Sequence, residues 1–217
     1  GYAMYITGTD NFISDYNSIY SINDFVYISG DYINLSELQS NTEYEQNSVS
    51  INPVFQSTDN LTPQSSMLDN LGSTGTGVQY DINGVLRSAE TPDMGAIEFT
   101  GSYSPLGGEY TIGSGGDYEN INDAVEALNS GISEAVTFNL LPGVYEEQVE
   151  IPPISGASTT NTITFQSQSG NPDDVSWKYN ATNTSTNYII KLIGADHIKI
   201  KNITFDPYDN DGTLYGK

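Results

Sequence analysis

The chain has no cysteine, one histidine, one tryptophan and only 6 lysine and arginine residues in a length of 217. The first absence excludes disulfide scaffolds and thiolate zinc sites. Against those few cations stand 28 acids, for a net charge of −22. Phosphate binding needs clustered cations that release counterions, so nucleic acid is not an expected partner. The acid is spread evenly: residues 1–100 hold 13 acids and one base, and residues 101–217 hold 15 and five. Such a distribution reads as repulsion and solubility of the whole surface. No apolar run is long enough to predict a membrane-spanning helix, and Gly1 is not followed by a basic, then apolar, leader. Strand-like residues at both termini read as an internal piece of a longer protein.

What the chain does have is 16 tyrosines and abundant Thr, Ile and Val, a composition suited to strands. It also has a repeat. Val136 and Phe138 return as Ile163 and Phe165, then as Ile190 and Leu192, each after 27 positions. Thr137 and Thr164 lie between the apolar members, and such period-2 alternation marks a half-buried strand. Strands returning at a fixed interval between Gly-, Asn-, Ser- and Pro-rich turns predict an all-β fold, a parallel β-helix whose coils stack in register.

Coils are expected at Val136–Leu140, Gln148–Ile151, Thr162–Gln166, Tyr188–Leu192, Ile198–Lys201 and Ile203–Phe205. Before them, Ile121, Val125 and Leu128 share one helical face. Asn120 can serve as N-cap, Asp123 sits in the first turn, and Gly131 suits the position past the end. This helix is expected to cover the open end of the coils, where unpaired backbone and apolar side chains would otherwise meet water. Upstream, short strands are predicted at Ala3–Thr7, Asn17–Ser21 and Ser48–Ile51, with a helix over Leu35–Ser40 capped by Asn34. Val78–Phe99 reads as a closing hairpin turning at Asp81-Ile82-Asn83-Gly84. Residues 100–108 lack periodicity and read as a linker.

Two resemblances follow from these residues. Tyr110-Thr111-Ile112, Gly115-Gly116-Asp117-Tyr118, Ile121-Asn122-Asp123-Ala124-Val125, Leu141-Pro142-Gly143-Val144-Tyr145-Glu146-Glu147 and Gly194-Ala195-Asp196-His197-Ile198-Lys199-Ile200-Lys201-Asn202-Ile203-Thr204-Phe205 resemble the opening of pectinesterases and other pectin-lyase-like β-helices. Asn52-Pro53-Val54-Phe55, Asp81-Ile82-Asn83-Gly84, Arg87 and Pro92-Asp93-Met94-Gly95-Ala96-Ile97-Glu98-Phe99 resemble the terminal coil and cap of right-handed β-helix modules. Those modules recur in very large surface proteins of Bacteroidota, including type IX-secreted gliding-motility adhesins of the SprB type. The resemblances imply right-handed β-helix modules in tandem: residues 1–99 ending a first module, 109–217 opening a second with one short capping helix. They also imply an extracellular, cell-surface location, with surface glycan and the secretion and motility machinery as partners. The catalytic aspartates, glutamines and arginine of pectinesterases lie beyond the matched residues. The expected function is therefore a non-enzymatic, adhesive rod; a polysaccharide-active enzyme and a viral host-recognition spike are the alternatives.

No catalytic or cofactor-binding residue is expected. Asp206, Asp209 and Asp211 resemble a fragment of a calcium loop but lack the spacing and distal Glu of one, and read as a solvated acidic turn. Asp81 and Asn83 are weighed the same way. Glu146 and Glu147 are adjacent, so on a strand they face opposite ways and cannot work as an acid–base pair. His197 has no second His or Cys to join it in a metal site and reads as a strand start. Arg87, the only arginine, is expected to pair with Asp93 and fix the cap of the first module. The tyrosines offer a surface for sugar contact or, more conservatively, strand-pairing contacts.

Overall fold

The computed structural model describes residues 2–22, 25–181 and 186–206. The chain divides into two compact units, Gly1–Pro105 and Leu106–Lys217. Strands dominate, most of their pairings are parallel, and the fold is all-β with two short α-helices.

The second unit is a winding of strands. Its first strand, β4 (Leu106–Ile112), is followed by helix α2 (Ile121–Ala127). One turn of the chain then lays down β5 (Ile132–Leu140), β6 (Gly143–Glu146) and β7 (Val149–Ile151). The next lays down β8 (Ile163–Ser167), β9 (Val175–Lys178) and β10 (Ile190–Leu192), and β11 (Ile198–Lys201) and β12 (Thr204–Asp206) begin another. These strands sort into three parallel sheets, β4-β5-β8-β11, β6-β9-β12 and β7-β10. A strand on each sheet per turn lets every inward side chain rest on its equivalent about 4.8 Å away.

The register shows what the repeat encodes. Val136 pairs with Ile163 and Phe138 with Phe165, as the 27-residue interval requires. The third expected return is corrected: Ile163 and Phe165 pair with Ile198 and Ile200, while Ile190 and Leu192 pair with Val149 and Ile151 on another sheet. Turn length varies from one return to the next while the inward position stays fixed. Three strands of this unit escaped the sequence reading, β4, β6 and β9, the last two joined by the Tyr145–Trp177 pairing of the second sheet.

Inside the winding, aromatic rings run from turn to turn. Phe138 stacks on Phe165 with centroids 5.0 Å apart, and Trp177 stacks on Phe205 at 5.5 Å. Phe138, Phe165 and Trp177 are fully buried. Helix α2 supplies Ile121, Ala124 and Val125 to this core, and Leu128 follows in a 3-10 turn. It packs against β4 and β7. Asn120 accepts the Asp123 N–H at 2.9 Å, a side-chain cap that satisfies one orphan donor. The next turn supplies the rest: the Glu147 carboxylate accepts the N–H groups of Ile121 at 3.0 Å and Asn122 at 2.9 Å.

The segment expected as a linker is partly strand, since β4 starts at Leu106. Gly107 and Gly108 read as linker by composition, but Gly107 lies in β4 with the exposed Glu134 side chain packed over its Cα. Glycine at Gly113 answers a different demand. Its φ of 126° turns the chain out of β4, against the Tyr145 hydroxyl.

In the first unit, β1 (Met4–Ile6) pairs in parallel with β2 (Val26–Ile28), and β3 (Asp31–Tyr32) adds antiparallel to β2. Helix α1 (Leu35–Asn41) is capped by Asn34, which accepts the Glu37 N–H, and its Leu35 and Leu38 join Ile19, Phe25, Val26 and Ile28 in a core. The strand expected at Asn17–Ser21 is reduced to one parallel bridge, Ser18 to Val49. The cause is local: Tyr16 takes a left-handed φ of 58°, and Asn17 is held by the fully buried carboxylate of Glu45 at 2.9 Å. Ser14 and Ser48 donate to the same carboxylate.

Removing the central ring of the second unit should cost about 3–5 kcal/mol, the usual range for a buried Phe→Ala. Urea unfolding of Phe138→Ala, followed through the fluorescence of the sole tryptophan, Trp177, checks this. A cost below about 1 kcal/mol would mean the ring stack does not carry the unit.

Candidate functional site

Each unit presents one constellation of polar side chains, and the two are used differently. In the first unit, residues 79–99 form almost no regular structure. Tyr80 and Leu86 make an antiparallel bridge about the Asp81–Gly84 turn, the closing hairpin in miniature. Three carboxylates then do what a sheet would otherwise do for the backbone. Asp81 accepts the N–H groups of Asn83 and Val85 at 2.8 Å each and of Glu98 at 3.0 Å. Asp93 accepts those of Asn70 at 2.7 Å and Phe99 at 2.6 Å. Glu98 accepts that of Asp93 at 2.9 Å. Buried backbone donors must find partners, and here acids provide them.

Arg87 closes the web, with a correction to its expected partner. Its guanidinium pairs with Glu98 at 3.2 Å and meets Asp93 only through the Asp93 carbonyl oxygen, along with that of Gly95. The Asp93 carboxylate is already committed to two backbone N–H groups. Burial alone would raise the Asp81 carboxyl, but its backbone hydrogen bonds, with Arg87 nearby, hold it below the usual range. Burial pushes Asp93 up, against the pull of its own hydrogen bonds. Oxygens saturated by N–H donors are poor cation ligands, and among the described residues no group of three His, Asp or Glu side chains could hold a metal ion. Of the residues weighed for calcium, Asp206 ends β12 in register with Lys178, while Asp209 and Asp211 lie outside the described residues. His197 is exposed, at a left-handed φ of 61°, and its carbonyl oxygen accepts the Ile163 N–H.

In the second unit the outward face of β4-β5-β8-β11 carries the polar side chains. Gln166 donates to Asn139 at 2.9 Å and Asn139 to Glu109 at 3.3 Å, a ladder running across the strands. At its far side Lys199 and Lys201 project from β11, in register with Thr164 and Gln166. Other lysines here are neutralised: Lys178 by Glu146 at 3.4 Å and Lys191 by Glu150 at 3.3 Å. Lys199 donates to the Thr162 hydroxyl at 3.1 Å, and neither it nor Lys201 has a carboxylate partner among the described residues. In a chain of net charge −22, two cations left without counter-charge on one strand face are the exception. The sequence reading missed them, although Lys-x-Lys on a predicted strand places both on one face.

Two acids and the tyrosines complete the picture. Glu146 and Glu147 do point to different tasks, an exposed ion pair and a half-buried helix cap. Tyr5 and Tyr27 stack at 4.6 Å, and Tyr2 leans on both. Their ring faces serve one another, the strand-pairing use of aromatics. Tyr145 is buried, its hydroxyl 2.8 Å from the carbonyl oxygens of Ile112 and Leu141. Burial, with the Glu147 charge adding to it, pushes the phenol up to about 12.

Comparison with known proteins gives two partial matches. The chain is 39% identical over 69 residues to a pectinesterase of Aspergillus niger, a stretch that is 30% of this chain and 21% of that protein. It is 33% identical over 77 residues to a pectinesterase of Aspergillus aculeatus, covering 33% of this chain and 23% of that one. The chain thus spans less than a quarter of the curated relatives it matches. No family model and no solved structure matches it.

Two outcomes are expected. Arg87→Met should destabilise the first unit by about 3 kcal/mol, the scale of stranding a buried charge partner, measured by thermal unfolding. For Tyr145 the folded-state value is raised above the unfolded one, near 10, so its contribution to stability is complete below pH 10 and is lost as pH climbs towards about 12. Tyr145→Phe should flatten the alkaline fall in stability, read as urea midpoints between those two pH values.

Proposed function

We propose that the chain is a β-helical segment of an extracellular protein that works at a polysaccharide surface, and that its residues contact carboxylated glycan without transforming it. The observation that carries this reading is the outward face of β4-β5-β8-β11, where Lys199 and Lys201 stand without carboxylate partners among the described residues, beside the Glu109–Asn139–Gln166 ladder. Amides and hydroxyls at strand spacing suit the hydroxyls of a sugar chain lying along the stack; the two lysines suit its carboxylates. The partial similarity to pectinesterases supports a saccharide of this class. The right-handed winding, the tandem arrangement of two modules and the large surface protein as setting rest on the resemblances of residues 110–205 and 48–99. Within the second unit, in-register coils make a stiff element that could bear load.

A polysaccharide-active enzyme is the second reading, favoured by the same pectinesterase similarity. The two separate in one experiment. The 217-residue chain is incubated with methylated and demethylated pectins, with and without calcium, and both methanol release and chain shortening are followed. No turnover is expected, whereas binding to demethylated pectin should weaken with salt and fall roughly tenfold in Lys199→Ala/Lys201→Ala, as two charge-assisted contacts are lost. Turnover above a denatured control would establish the enzyme instead. Binding indifferent to the double substitution would remove the lysine face from the reading.

A further inference from the structure

The first unit exposes more large apolar side chains than its fold uses. Ile82 is 77% exposed, Leu61 58% and Phe55 47%. These three, with Tyr16, Pro53 and Ile97, line a groove of about 460 Å³. It adjoins a wider, more polar depression of about 840 Å³, which shares Tyr16, Asn17, Ile82 and Met94 and is edged by Asp15. Isolated surface hydrophobics are ordinary, but a contiguous apolar groove with a polar rim marks an interaction site. The backbone beside it is also held in an uncommon state. Tyr16 has φ 58° and Val54, between the two lining residues Pro53 and Phe55, has φ 47°. A β-branched residue is rarely found there.

Charge decides the occupant. The unit carries 13 acids and one base, and that base, Arg87, is neutralised within it by Glu98. A second copy of the chain or an acidic polymer would bring like charge against this surface, which is unfavourable. The lining is aliphatic and prolyl as much as aromatic, unlike a platform for sugar rings. Asp15 at the edge stays ionised into mildly acidic solution: burial would raise it, but hydrogen bonds from the Asn47 side chain and backbone hold it down.

We propose that this groove docks a basic segment of a partner protein, with apolar side chains seated over Phe55, Leu61 and Ile82 and lysines or arginines facing Asp15 and the negative field of the unit. Affinity comes from burying those anchors, and the charge of the unit steers the approach.

The test uses the 217-residue chain and three probes: a synthetic peptide with leucine and phenylalanine anchors flanked by lysines, the same anchors flanked by glutamates, and a neutral cello-oligosaccharide. Titration calorimetry and amide chemical shifts read binding and its place. The lysine-flanked peptide should bind, shifting residues 53–63 and 80–97, and weaken as salt rises. Leu61→Ser/Ile82→Ser should weaken it about tenfold, as expected for losing two buried anchors. Because both side chains are exposed, the variant's circular dichroism and thermal midpoint should match the parent's. Equal binding of the glutamate-flanked peptide, groove shifts caused by the oligosaccharide instead, absence of lysine-peptide binding, or self-association abolished by the double substitution would each overturn the proposal. Lys199→Ala/Lys201→Ala leaves the groove intact, so failure of the glycan reading would not affect this result.

Discussion

The second unit depends on one constraint: a side chain that points inward must sit directly over its equivalent in the preceding turn. Phe138 over Phe165 meets it with stacked rings, Val136 over Ile163 with branched aliphatics. Parallel strands exchange slanted hydrogen bonds and gain less per residue than antiparallel ones, so the register is enforced chiefly by what lies inside. Everything else can vary around that condition. The intervals differ from sheet to sheet, with 27 residues from Val136 to Ile163, 35 from Ile163 to Ile198, and 41 from Val149 to Ile190.

The first unit solves the same problem with few paired strands. Its order comes from acids placed where polar groups need acceptors: Asp81, Asp93 and Glu98 take backbone N–H groups in the hairpin region, and Glu45 takes the side chains of Ser14, Asn17 and Ser48. A strongly negative chain thereby spends several of its carboxylates internally, and Arg87 offsets one of them. The same acidity restricts what the outer surface can meet. Lysines 199 and 201 give the second unit a local opening to anions, whereas the apolar groove of the first unit lies in a field that favours cations.

How much of this was legible in the sequence depended on whether the signal was local. Helix α2 and its cap were readable because Asn120 and the Ile121–Val125–Leu128 spacing lie within one short window; α1 was readable for the same reason. The Val136–Ile163 return was readable because two successive strands kept one interval. Its continuation to Ile190 failed because that spacing coincided with a strand of a different sheet, and pattern alone does not say which face a strand joins. Strands β6 and β9 were obscured by the prolines and glycines at their borders and by their short length. At the candidate site, Arg87 was expected to pair with Asp93, and its carboxylate partner is Glu98: which carboxylate remains free depends on backbone donors, and those are assigned only by the fold. Lys199 and Lys201 were within reach, since a Lys-x-Lys strand in so acidic a chain is unusual.

Glu147 carries an implication for the order of events in folding. The amides at the start of α2 are satisfied by a carboxylate that lies a full turn later in the chain. The helix cannot complete its cap until the chain 25 residues further on has folded back onto it. Segments of seven residues, the length of α2, are not stable as isolated helices, so α2 stays unfinished until the winding after it has closed. A segment early in the unit is thus among the last to settle, and a chain cut before Glu147 would lose two of the acceptors at the start of α2.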